Sequence, residues 1–174
     1  MIHMTNIIIG NIISFVGAIF LSTSCVLKNR KLIFYFQAIN CFILAVASVF
    51  FNAYAGIATL IISGMRNIIV AHDKYNAKLM YVFLILTFII GIATNNRGLI
   101  GLIPVIATIQ YTICLKVFKT LMLTRISIWV NTALWVVYSF IIMDYSTCFM
   151  DSISLVTVTF SLFSLIIHTR KKVT

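Results

Sequence analysis

Acid is the scarcest thing in this sequence. Its only carboxylates are Asp73, Asp144 and Asp151, against 13 lysines and arginines, for a net charge of +10. All three read as lying in or beside loops, so no buried carboxylate is expected to act as a proton relay or a cation site. Charge of either sign is sparse, at 9% of residues, which is too little to cover a soluble domain. There is a single proline, Pro104, and no Pro-rich, polar or Gly/Ser-rich linker, so residues 1–174 read as one domain. The four cysteines form no CxxC pair. Cys25, Cys41 and Cys114 fall in or near apolar segments as packing residues, and Cys148 falls in a short loop, so neither a disulfide framework nor a zinc site is expected. His3, His72 and His168 stand alone, none at ligand spacing from another. No HExxH, nucleophile elbow or phosphate loop occurs. The chain is therefore expected to be no enzyme and to hold no cofactor or metal. The first apolar run also lacks the basic flank and small-residue cleavage site of a secretory signal.

What is abundant is apolar sequence. Hydrophobic residues make up 62% of the chain and the mean hydropathy is +1.13, which makes the bilayer its solvent. Seven apolar segments are expected as helices, at Asn6–Leu27, Leu32–Phe51, Ala53–Ala71, Leu79–Thr94, Gly98–Leu115, Leu121–Met143 and Asp151–His168. The fourth and fifth are short for a span of roughly 20 residues. The basic residues sit in short clusters between these runs, which excludes nucleic acid as the reason for the charge and points to membrane orientation. Threading seven spans with the N-terminus outside and the C-terminus inside leaves 12 of the 13 basic residues on the inner side: Lys28, Arg30, Lys31, Arg66, Lys74, Lys78, Lys116, Lys119, Arg125, Arg170, Lys171 and Lys172. Only Arg97 falls outside. Because the clusters follow spans one, three, five and seven, the expected fold is all-α in a 3+1+3 arrangement. Two parallel three-helix units, residues 6–71 and 98–168, are joined by a linker helix at 79–94.

The stretches AYAGIATLIISGMRN (Ala53–Asn67), GLIPVIATI (Gly101–Ile109) and LMLTRISIWVNTALW (Leu121–Trp135) resemble the bacterial inner-membrane YgjV family. The marks within them are Ala55, Gly56, Arg66, Pro104, Arg125, Trp129 and Trp135, and the resemblance covers nearly the whole chain. It implies a multi-pass protein of the bacterial inner membrane and brings no catalytic or binding residue with it. More distantly, the architecture is similar to SWEET and PQ-loop transporters. Those families use several prolines as hinges and a substrate-facing asparagine on the third helix of each unit. This sequence has no Pro-Gln dipeptide and one proline; its third span has Asn67 near the inner end and its seventh has no asparagine. The resemblance therefore does not extend to sugar transport.

Residues three, four and seven apart share a helix face. Asn131, Trp135 and Tyr138 line one side of the sixth span, and Gln37 and Asn40 line the second with Leu44 and Ser48. Asn11, Ser14, Ser22 and Cys25 form a stripe on the first, Asn52, Gly56, Thr59, Ser63 and Asn67 on the third, and Ser154, Thr157, Ser161, Ser164 and His168 on the seventh. Two readings of these stripes stand open. Small and hydroxyl residues let membrane helices approach closely and amides bond between them. Alternatively the amides, which need partners for donors and acceptors alike, bind a polar solute beside the aromatic rings. Arg66 either snorkels to the inner interface or contacts an anionic lipid or substrate group. Pro104, following Gly98 and Gly101, is either a hinge or a fixed bend in the fifth span.

The resulting expectation is a transporter for a polar small solute, with two units rocking about a midplane site. Its mode is expected to be facilitative because buried carboxylates are missing. The alternative is a non-transporting inner-membrane protein that binds a lipid or a protein partner. Expected partners are membrane lipids, a polar small molecule and a second copy of the chain; nucleic acid is not among them.

Overall fold

The computed structural model describes residues 4–27, 29–117 and 121–171, without the side chains of residues 25–26, 30, 121 and 164–171. His3, Lys28, Lys119 and Lys172 lie outside the described residues, as do the side chains of Cys25, Arg30, Ser164, His168, Arg170 and Lys171. Among the described residues seven α-helices follow one another and no strand occurs: α1 (Met4–Val26), α2 (Arg30–Phe50), α3 (Tyr54–Ala71), α4 (Ala77–Ala93), α5 (Leu102–Val117), α6 (Leu121–Ile142) and α7 (Tyr145–Lys171). Five of them, α1, α2, α3, α6 and α7, are long and apolar enough to cross a membrane; α4 and α5 are shorter, at 17 and 16 residues.

The packing order is simple. α1, α2 and α3 pack in sequence order, as do α5, α6 and α7. The two sets meet where α3 touches α5 and where α1 touches α7, which closes a ring of six helices. α4 lies against α3 and α5 only. The ring is built from small residues on its inner faces. Ala18, Ala38, Ala45, Ala47, Ala53, Ala55 and Ala107 are buried, while Ile8, Ile12, Phe15, Val46, Ile85, Phe88, Ile89, Phe140 and Phe160 point outward. In water this would be an inverted protein. In lipid it is the expected distribution, because close backbone approach holds the helices together and large apolar side chains contact acyl chains.

One end of the ring, called the upper end, holds the start of α1 and the α2–α3, α4–α5 and α6–α7 turns. Its turns are tied by side chains. Arg97 donates from Nη2 to the Phe51 carbonyl at 2.5 Å and from Nε to that of Asn52 at 3.4 Å. Asn96 Nδ2 donates to the same Asn52 carbonyl at 2.7 Å. Asn52 itself takes a left-handed φ of 51°, which an asparagine tolerates better than most residues. Arg97, the one basic residue set apart from the others by sequence, thus bonds the Phe51 carbonyl at the end of α2 and shares that of Asn52 with Asn96.

The structure moves two boundaries. α7 begins at Tyr145, six residues before the expected Asp151. The polar run YSTC reads as loop, yet Asp144 caps it. Its Oδ1 accepts from the Thr147 N–H at 3.1 Å, and its Oδ2 accepts from the Thr147 and Ser14 hydroxyls, both at 2.8 Å. α5 begins at Leu102 rather than Gly98, because Gly98 adopts a left-handed φ of 57° in a loop closed by the Asn95 side chain. Pro104 is consequently in the first turn of α5 and buried. There its missing N–H has no helical partner to lose, so it starts the helix rather than bending one.

Candidate functional site

The hydroxyl stripes are mostly satisfied within their own helices. Ser48, Thr59, Thr87, Thr112 and Ser152 each donate to the carbonyl four residues earlier. These residues contribute small size to the helix contacts, and few bridge. The bridges that exist are specific. Trp129 Nε1 donates to Thr159 Oγ1 at 2.9 Å, Arg125 Nη1 to the Ser161 carbonyl at 2.9 Å, and Gln110 Nε2 to that of Ser127 at 3.3 Å. Each joins α6 to a neighbour.

The amides divide sharply. Asn11 is fully engaged at the upper end. Its Nδ2 donates to the Ile7 and Met143 carbonyls, each at 2.9 Å, and its Oδ1 accepts from the Ser146 N–H at 2.9 Å. It fastens α1 to the α6–α7 turn, where Met143 has a φ of 68°. Gln37, Asn40 and Asn131 instead converge on a cavity of about 380 Å³ enclosed by the six-helix ring. All six ring helices line it: Ala18 and Leu21 from α1; Gln37, Asn40, Cys41 and Leu44 from α2; Leu60, Ser63, Arg66 and Asn67 from α3; Thr108 and Tyr111 from α5; Ile128, Asn131, Thr132 and Trp135 from α6; Thr147, Met150, Asp151, Ser154 and Val158 from α7.

Tyr138 is not in the lining. It is 1% exposed and belongs to a plug above the cavity with Ala47, Phe51, Ala53 and Ile142. Trp135 packs edge-on to it, with ring centroids 5.7 Å apart, so the tryptophan spans the cavity wall and the plug. Pro104 also lies outside the lining.

Arg66 does not snorkel. It is 3% exposed, turned inward, and stacked over the Tyr111 ring at 5.1 Å. Its Nη1 donates to Thr112 Oγ1 at 2.7 Å, and its Nη2 lies 3.5 Å from Asn67 Oδ1. Its Nε has no partner. Asn40 Oδ1, Thr108 Oγ1 and Asn131 Oδ1, on other walls of the same cavity, are likewise buried and unpaired within the protein. In a bilayer each such atom costs free energy unless something polar meets it.

Sequence reasoning missed Asp151. The expectation of no carboxylate inside the membrane region is overturned, because the earlier start of α7 places Asp151 on the cavity wall with Thr147 and Ser154. The signal was present, since 147, 151, 154 and 158 recur at helical spacing, but a helix start set at Asp151 hid it. Cys41 and Tyr111, also in the wall, were read only as packing or not at all. No group of three or more metal-ligating side chains occurs among the described residues.

Ring, apolar exterior and an internal cavity of mostly apolar surface with polar side chains in its wall define a polytopic helical membrane protein. Residues 8–169 match the family Imp-YgjV, bacterial inner membrane protein, and the chain belongs to that family. It is a multi-pass protein of the bacterial inner membrane. Comparison with curated proteins finds no match, and comparison with solved structures finds none either.

Proposed function

We propose that the protein binds a polar small solute in the six-helix cavity and carries it across the inner membrane. The supporting observation is that Asn40, Arg66, Thr108 and Asn131, all lining one cavity, each carry a buried polar atom without a protein partner. An adhesive contact such as that of Asn11 satisfies its members, and these four atoms are not satisfied; Gln110 Oε1 and Tyr138 Oη, outside the cavity, are unpaired as well. A volume of about 380 Å³ is at the small end of sites for small molecules, which run to about 1,000 Å³. On this reading the packed cluster of Phe51, Tyr138 and Ile142 closes the upper end, and alternating access requires that it open. On this reading Asn131 and Asn40 bond the solute and Trp135 stacks on it, while Tyr138 holds the closed state. Asp151 in the wall removes the argument by which a missing carboxylate pointed to facilitated movement, so proton coupling becomes admissible.

Uptake of labelled sugars, nucleosides, vitamins and amino acids into proteoliposomes tests the reading. Expected is saturable uptake of one solute class, lost in Asn131→Ala and in Trp135→Ala protein that still folds. Absence of uptake for every class, with Asn131→Ala only melting earlier, would assign the cavity to a lipid or protein partner instead.

A further inference from the structure

The cavity wall holds one basic and one acidic side chain, Arg66 and Asp151, and they are not paired with each other. Arg66 has its hydrogen bonds to a hydroxyl and an amide, with no carboxylate in contact and Nε unsatisfied. Asp151 has no hydrogen-bond donor or cation on it among the described residues. Arg66 lies 12 residues below the start of α3 and Asp151 six below the start of α7, both counted from the upper end. At about 1.5 Å per residue their levels differ by about 9 Å along the ring axis. The two side chains therefore leave the backbone at different levels of the same cavity wall.

A neutral solute leaves both charges uncompensated in low dielectric, where isolated charge is costly. A simple anion meets Arg66 and is repelled by Asp151; a simple cation has the reverse difficulty. A solute carrying both signs answers both. We propose that the cavity is a zwitterion site, in which Arg66 binds the carboxylate and Asp151 the ammonium group of an amino-acid-sized solute. The guanidinium supplies the forked donors that suit a carboxylate, and Tyr111 behind it keeps the fork facing inward. Leu44, Leu60 and Met150 offer an apolar wall for the solute's side chain.

This rests on the cavity being a solute site, as proposed above, and its test separates the two. Purified protein in detergent is melted with amino acids, with their amides, which lack the carboxylate, with their N-acetyl derivatives, which lack the ammonium, and with sugars. Expected is a rise in Tm with one or more free amino acids, and at least tenfold weaker binding of both blocked forms. Asp151→Asn should weaken the free amino acid at least tenfold and bring the N-acetyl form level with it. Arg66→Gln should do the same with the amide; if that variant does not fold, the blocked solutes and Asp151→Asn decide the matter alone. Stabilisation by a sugar, or equal binding of free and blocked forms, would overturn the zwitterion site and leave the transporter reading standing. No binding by any solute, together with no uptake, would overturn both.

Discussion

At the scale of single residues, amides of the same chemical type do opposite work. Asn11 has its donors and acceptor filled by the Ile7 and Met143 carbonyls and the Ser146 N–H, whereas Asn131, on the cavity wall, keeps a buried Oδ1 unpaired. Asn11→Ala should therefore lower Tm, at a cost of about 1–3 kcal/mol for orphaned backbone groups, and leave solute binding unchanged. Thermal unfolding with and without a bound solute distinguishes the effects. Gly56 is a second case. A Cβ there would sit 2.8 Å from the Tyr138 hydroxyl, which is buried without a partner. Gly56→Ala alone should be destabilising. Tyr138→Phe, which removes the hydroxyl, should be neutral or stabilising and should restore most of the Tm lost in the Gly56→Ala background, a coupling that a double-mutant cycle reads directly.

At the scale of elements, α7 depends on its cap. Asp144 is 5% exposed at the α6–α7 turn. Burial raises its carboxyl above the usual aspartate range, against the opposing pull of hydrogen bonds from Thr147 and Ser14. A raised acid holds its proton in the folded protein at a pH where the unfolded chain has released it. Stability from this group is thus full below the usual aspartate value of about 4 and declines as pH rises through the folded value. Tm measured upward from about pH 4 should fall for the parent and stay flat for Asp144→Asn across that window. Asp144→Ala should lose the cap at any pH, costing about 1–2 kcal/mol. A parent profile that rises through the window would contradict the upward shift that burial gives this carboxyl.

At the scale of the whole molecule, the distribution of charge along the ring sets orientation. The upper end carries Arg97, bound to helix-end carbonyls, while Lys31, Lys74, Lys78 and Lys116 lie at or near the other end. We expect that lower end to face the cytoplasm. A cytoplasm-dependent fluorescent reporter fused at the C-terminus should be bright, and a periplasm-dependent phosphatase fused there should be inactive. Arg97→Gln should lower Tm without inverting these signals, because its partners are the Phe51 and Asn52 carbonyls and not the membrane field.

Hydropathy and charge order are properties of the chain read in one dimension, and they sufficed for the membrane class and the number of apolar segments; the family came from the resemblance of the stretches Ala53–Asn67, Gly101–Ile109 and Leu121–Trp135. They also reached Gln37, Asn40, Arg66, Asn131 and Trp135, because helical period reports which residues share a face. Period does not report what that face looks at. Asn11 and Tyr138 shared faces with residues of the same kind and went to a turn and a plug. Pro104 read as a mid-span bend until a glycine loop moved the start of α5 past it. Asp151 entered the cavity because Ser14, 130 residues away in sequence, helps Asp144 cap α7 early. The cap itself is local, from Asp144 to Thr147, and tertiary contact added the Ser14 hydroxyl and decided which wall the early turns of α7 face.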